Sequence, residues 1–332
     1  MQMRKVLLAV VAVLFCFSQV NAAEIYRVGI GDPEDSEQGF ACKAFKQYVE
    51  EKTNGAVEIQ LFYNSSLGDE TECFRNVQKG NLPFACGGIS NLVPFVKPLA
   101  VLTLPYIFDN LDQAVAGTTG DARKILDAYA AKAGFHALCW TYTDFRYISN
   151  SKHPIKKLAD IKDLKFRSPF SAVIVEFYKA VGANPAPISW AETFTALQQG
   201  VVDGQCYGYI GFDSMKFLDA HQKYLSEVHY TYQIQPLLMS QRVYKKLTPE
   251  LQKIFDEGGV YAQEAVLKYE IENAEKAKQK LIGEGLIVDV LEDEDEWKKI
   301  AMDVVWPKMA DFCGGKDAIN AYLAACGKEA WK

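Results

Sequence analysis

Arg167 poses the first chemical question. It ends the run Leu164–Arg167, which reads as a short strand stopped by Ser168-Pro169; a side chain there can project into a cleft. A guanidinium in that place can grip a carboxylate through two parallel hydrogen bonds, fixing its orientation as well as its charge. The competing reading is a structural salt bridge to a neighbouring acid, and spacing alone does not separate the two. Signatures of other chemistry are missing. The sequence holds no GxSxG, HExxH, P-loop or GxGxxG, and Gly29 and Gly31 lack the third glycine. His136, His153, His221 and His229 are scattered and no CxxC occurs, so neither a zinc site nor a catalytic cofactor is expected.

The elements that would position Arg167 alternate between strand and helix. Ile25–Ile30 and Val57–Tyr63 read as strands, the second with Val57, Ile59 and Leu61 on one face. Glu37–Thr53 reads as a helix stopped by Asn54-Gly55, and Glu70–Lys79 as one closed by Gly80. Phe84–Gly88 and Leu99–Leu104 are further short strands, giving the rhythm of a parallel sheet with covering helices. A second such unit follows from Phe145. Ser171–Val181 is an apolar helix, Pro185–Ile188 an edge-like extended stretch, and Ser189-Trp190-Ala191-Glu192 a capping box that starts a helix running to Gly200. From Thr248-Pro249 a helix extends to about Ile282, long enough to cross two lobes, with a kink expected at Gly258-Gly259. The acidic run Glu292–Glu296 lacks a calcium-loop pattern and reads as the negative first turn of a helix ending near Met309.

The ends and the composition bound the rest. Residues 1–22 read as a secretory signal peptide: Arg4 and Lys5, an apolar run Val6–Val20, then Val20-Asn21-Ala22. That run is about 15 residues, shorter than the roughly 20 needed to cross a bilayer. Removing residues 1–22, with Arg4 and Lys5, takes the formal charge from -6 to -8, which argues against nucleic acid as a partner. The remaining length exceeds a usual single core and implies two lobes. Seven cysteines remain, of which Cys313 and Cys326 are the first candidate disulfide; the alternative for the others is a buried apolar thiol.

Longer blocks carry a family resemblance. Asp163-Leu164-Lys165-Phe166-Arg167-Ser168-Pro169, Gly182–Ile188 and above all Ala191-Glu192-Thr193-Phe194-Thr195-Ala196-Leu197-Gln198-Gln199-Gly200-Val201-Val202-Asp203-Gly204-Gln205 resemble the solute-binding subunits of tripartite ATP-independent periplasmic (TRAP) transporters. Asn64–Glu70 and Leu104-Pro105-Tyr106-Ile107-Phe108 are similar to that family too. The resemblance implies an α/β, two-lobed periplasmic-binding-protein fold with a hinge and a long helix spanning both lobes. The lobes would be 23–144 plus about 234–273, and 145–233 plus about 274–332. It implies a monomer without cofactor or metal that closes on a small organic anion and docks on TRAP permease subunits driven by an ion gradient. A subunit presenting ligand to a sensor kinase is the alternative.

Residue by residue, Arg167 matches the arginine that pairs with the ligand carboxylate, and Arg146 resembles a second cleft arginine. Trp190 resembles an aromatic cleft residue, with a core tryptophan as its bland reading. Glu70 falls where the family places a cleft carboxylate, or else is a first-turn helix acid held by the dipole. Two positions depart from the pattern. Cys206-Tyr207-Gly208 replaces the usual Glu-Asn-Pro, so Tyr207 takes the place of an asparagine that helps hold the carboxylate. Gly87-Gly88 stands where some members carry a ligand-contacting acid, which makes Gly88 part of the expected pocket. A ring on one side and glycine on the other predict a monocarboxylate with an apolar or aromatic portion.

Overall fold

The computed structural model describes residues 23–332, so the expected signal peptide at 1–22 lies outside the described residues. In chain order the strands are β1 (Glu24–Ile30), β2 (Val57–Phe62), β3 (Phe84–Cys86), β4 (Phe135–Phe145), β5 (Tyr147–Asn150), β6 (Lys165–Ser168), β7 (Asn184–Pro187), β8 (Gly204–Tyr207), β9 (Tyr224–Glu227), β10 (Tyr232–Ser240) and β11 (Ile287–Val290). They form two sheets, ordered β2-β1-β3-β10-β4 and β11-β9-β5-β8-β6-β7. The parallel rhythm holds for β1, β2 and β3 and again for β6, β7 and β8. It fails at β10, which runs antiparallel to both β3 and β4. As its two prolines require, β7 is an edge strand.

The chain passes from one sheet to the other at a single residue, because only Arg146 separates β4 from β5. It returns between β9 and β10, and the two crossings are joined where the Arg146 amide donates to the Thr231 carbonyl at 2.9 Å. The third link is the helix Pro249–Gly283, of 35 residues and about 50 Å. It packs on the Glu37–Lys52 helix and β4 from the first sheet and on Tyr209–Ser214 from the second. Its helical hydrogen bonding runs through Gly258-Gly259, where a kink was expected. The glycines allow close approach: a Cβ on Gly259 would stand 2.3 Å from the Leu138 carbonyl oxygen.

Local chemistry fixes most boundaries. Ser36 caps the Glu37–Lys52 helix by accepting from Gly39, Asp69 caps Glu70–Lys79 by accepting from Thr71, and Gly80 ends the latter in the left-handed conformation. Ser189 stands at the N-cap of Trp190–Gln198, but its hydroxyl meets the Glu192 carboxylate rather than a backbone amide. Leu99–Leu104 is not a strand. Lys97–Thr103 forms a 3-10 helix, with Pro98 in its first turn and five consecutive residues buried; a short apolar run does not reveal its period when every side chain is inside. The acidic residues Glu294, Asp295 and Glu296 do open a helix, whose helical backbone continues to Met309. The predicted Cys313–Cys326 disulfide is absent, and all seven described cysteines are free and buried. The two thiols flank the helix Lys316–Ala325, whose ten residues span about 15 Å, well beyond the roughly 7 Å a disulfide bridges. None of the described helices is long and apolar enough to cross a membrane.

Candidate functional site

Arg167 is the third of four residues in β6 and only 2% exposed. Its Nε donates to the Ile188 carbonyl at 3.0 Å, while its Nη2, also buried, meets no acceptor. Among the described residues no carboxylate lies within ion-pair distance of it, so the salt-bridge reading has no partner. Burial, followed by the neighbouring Arg146 charge, pushes its pKa down to about 10. A buried guanidinium nitrogen without an acceptor is costly to leave unpaired.

Arg146 lies at the sheet crossing, and its guanidinium donates to the Cys206 carbonyl at 2.8 Å, to the Cys206 sulfur at 3.1 Å and to Gln233 Oε1. None of these partners is a carboxylate. Burial works against its charge, but the Cys206 and Tyr230 side chains outweigh that and raise its pKa. The same contact acts on Cys206: burial opposes its thiolate, yet Arg146 and the Tyr178 and Tyr230 hydroxyls bring its pKa below the ordinary thiol value.

Facing these cations, from the first sheet's side, is a wall of hydrogen-bonded polar groups. Glu70 is 3% exposed. Its Oε1 accepts from Gln38 at 2.9 Å, and its Oε2 accepts from Asn91 at 2.6 Å and from the Gly88 amide at 3.0 Å. Burial raises its pKa in spite of those three donors. Trp190 and Tyr207 close the remaining side, their rings stacked at 5.2 Å. Neither ring presents its polar tip to the cavity, because the indole Nε1–H donates to Asp32 at 2.6 Å and the phenol to Asp32 at 2.7 Å.

All six residues picked out from the sequence, Glu70, Gly88, Arg146, Arg167, Trp190 and Tyr207, thus line one enclosed space of about 250 Å³, crevices included, together with Gln38, Ser90, Asn91, Pro169 and Gln233. Only about 10 Å³ of it would admit the centre of a water molecule, so the walls stand close together. A broader, open groove by Tyr106, Trp306 and Trp331 lies elsewhere, and its Lys298 and Lys328 are already paired with Asp109. Sequence reasoning missed Asp32, Gln38, Asn91 and Gln233. Gln38 and Asn91 sit in helices, where an amide looks like any solvent-facing residue. Gln233 left a usable signal, since it and Gln235 interrupt an otherwise apolar strand that is buried along its whole length.

Comparison with known proteins shows the family. Residues 29–311 match the family model described as bacterial extracellular solute-binding protein, family 7. A solute-binding protein of Verminephrobacter eiseniae is 37% identical over 233 residues, 69% of this chain and 68% of its own. The 2,3-diketo-L-gulonate-binding periplasmic protein of Escherichia coli is 29% identical over 80% of this chain and 83% of its own. Among solved structures, a TRAP periplasmic solute-binding protein from Polaromonas bound to D-erythronate superposes with a TM-score of 0.86 at 30% identity, covering 91% of this chain and 98% of that one. Family and structural neighbours alike are binding proteins rather than enzymes. The chain belongs to the family 7 extracellular solute-binding proteins, the periplasmic TRAP subunits that bind small organic acids.

Proposed function

We propose that this protein is exported by cleavage of residues 1–22 and captures a small hydroxylated monocarboxylate as a monomer. It then delivers that acid to the permease subunits of an ion-gradient-driven TRAP transporter. The lobes that close would be 23–144 with about 234–273, and 145–233 with about 274–332, hinged at Arg146 and Thr231. The observation that carries the reading is the buried Arg167 Nη2 without an acceptor, beside a second guanidinium that also lacks a carboxylate partner. A ligand carboxylate supplies the missing acceptors in bidentate geometry.

The opposite wall moves the ligand away from the apolar acid predicted by sequence. The aromatic rings turn their tips to Asp32, while Ser90 and Asn91 bring a hydroxyl and an amide oxygen to the cavity beside the hydrogen-bonded Gln38 and Glu70. Asn91 Oδ1 is buried without a donor, which suits a ligand hydroxyl. Relatives named for 2,3-diketo-L-gulonate or bound to D-erythronate support such a ligand class here.

Native mass spectrometry of the purified protein, followed by a melting screen against organic acids, tests this. Binding to the folded form raises the melting temperature with the logarithm of ligand excess over Kd. Short hydroxy acids are expected to give the largest shifts, ahead of aromatic acids and succinate. Shifts only from amines or neutral sugars would overturn the carboxylate reading.

A further inference from the structure

The two cleft arginines and the two aromatic rings form one stack, in the order Arg146, Tyr207, Trp190, Arg167. Arg146 Cζ lies 5.4 Å from the Tyr207 ring centre, the two rings stack at 5.2 Å and 21°, and Arg167 Cζ lies 5.3 Å from the Trp190 ring. Both rings are therefore held on their faces by cations. What fixes their edges is a single carboxylate. Asp32, fully buried just beyond the end of β1, accepts from Trp190 Nε1 on Oδ1 at 2.6 Å and from the Tyr207 hydroxyl on Oδ2 at 2.7 Å. Gln235 braces the same corner by donating to the Tyr207 oxygen at 3.0 Å. The chain makes room for this arrangement: a Cβ on Gly211 would stand 1.6 Å from the Tyr207 ring.

We propose that Asp32 is a positioning residue which clamps Trp190 and Tyr207 together and, through their faces, sets the two guanidiniums for the ligand carboxylate. Asp32 comes from the first sheet and the stack from the second, so the clamp engages only when the cleft is closed. It thereby ties closure to arginine alignment. This rests on the proposed carboxylate site, but Asp32 has its own readout.

The test combines titration calorimetry, using the acid with the largest melting shift, with proton–nitrogen spectra in which Trp190→Phe identifies the Trp190 indole resonance. Asp32→Ala is expected to weaken binding by about tenfold or more, chiefly through faster release, and to move that resonance upfield. Asp32→Asn keeps the shape and one acceptor, and is expected to weaken binding by roughly threefold with a smaller upfield move. Affinity within twofold of wild type, or an unmoved resonance, overturns the clamp. Should Asp32→Ala fail to fold, Asp32→Asn decides, and unchanged affinity or resonance there overturns it equally. If no acid binds wild type, the carboxylate reading falls and the indole resonance of the purified protein alone settles the role of Asp32.

Discussion

The two walls of the cleft are built on opposite terms. On the first sheet's side Glu70 has three donors for its carboxylate and is complete without a ligand. On the second sheet's side Arg167 is just as buried, yet one of its nitrogens meets nothing. A buried polar group left unpaired costs about 1–3 kcal/mol, more when it is charged. The first wall leaves only a neutral amide oxygen of Asn91 unpaired, whereas the second leaves a charged guanidinium nitrogen. On the proposed reading, the difference separates residues that hold the cleft's shape from residues whose partner is the ligand.

The sharpest way to break the comparison is Arg167→Ala. It should weaken binding of a carboxylate by about 1.5–3 kcal/mol, ten- to a hundredfold or more, while the melting temperature of the unliganded protein holds or rises. Calorimetry and a melting curve check both halves, and wild-type affinity would return Arg167 to a structural role. Glu70→Gln should do the reverse. Its amide would turn a donor toward Gln38, or toward Asn91 and Gly88, lowering stability by about 1–3 kcal/mol in a denaturant titration.

Tyr207→Asn tests whether the ring shapes the pocket. It removes both the stack on Trp190 and one Asp32 contact, so the rank order in the acid screen should change; an unchanged order removes Tyr207 from selectivity. Gly88→Ala sharpens the comparison on the first wall. The new Cβ would stand 2.6 Å from Gln233 Nε2, whose amide oxygen holds Arg146. Overpacking of about 1 kcal/mol there predicts a lowered melting temperature, and weaker binding to the extent that displaced Gln233 lets Arg146 move.

The smallest effect lies away from both walls, at His229. Its Nδ1 meets Glu294 at 3.0 Å, a contact that raises the imidazole pKa against the opposing effect of burial. A raised histidine pKa gives stability that is complete below the unfolded value of about 6.5 and is lost as pH climbs through the higher folded value. His229→Gln should flatten that part of the melting-temperature profile and leave acid affinity unchanged.

Much of this was legible in the residues because it depends on short-range chemistry. The Glu70–Lys79 helix was readable from its glycine stop, and the placing of Arg167 from the proline two residues on. The six expected site residues come from the family resemblance, some through long blocks and Arg146 through a short stretch, and the structure brings all of them to one cavity. Three things escaped. The antiparallel course of β10 depends on pairing with strands about a hundred residues or more away. The 3-10 form of Lys97–Thr103 is hidden because a wholly buried segment has no polar face to mark its period. The separation of Cys313 from Cys326 depends on the helix between them staying intact.

The sequence by itself determined the alternation of strand and helix, the long helix, the acidic net charge and the presence of an arginine at a strand end, all consequences of local propensity and composition. Only the tertiary structure decided which charges would be left alone. Arg146 and Arg167 could each have met one of the chain's many acids, and which groups meet is set by the crossing of two sheets, not by neighbours in the chain. The same crossing carries Asp32 to Trp190 and Tyr207, 158 and 175 residues further on. No local pattern encodes such a contact, because its energy exists only once both lobes are folded and facing each other.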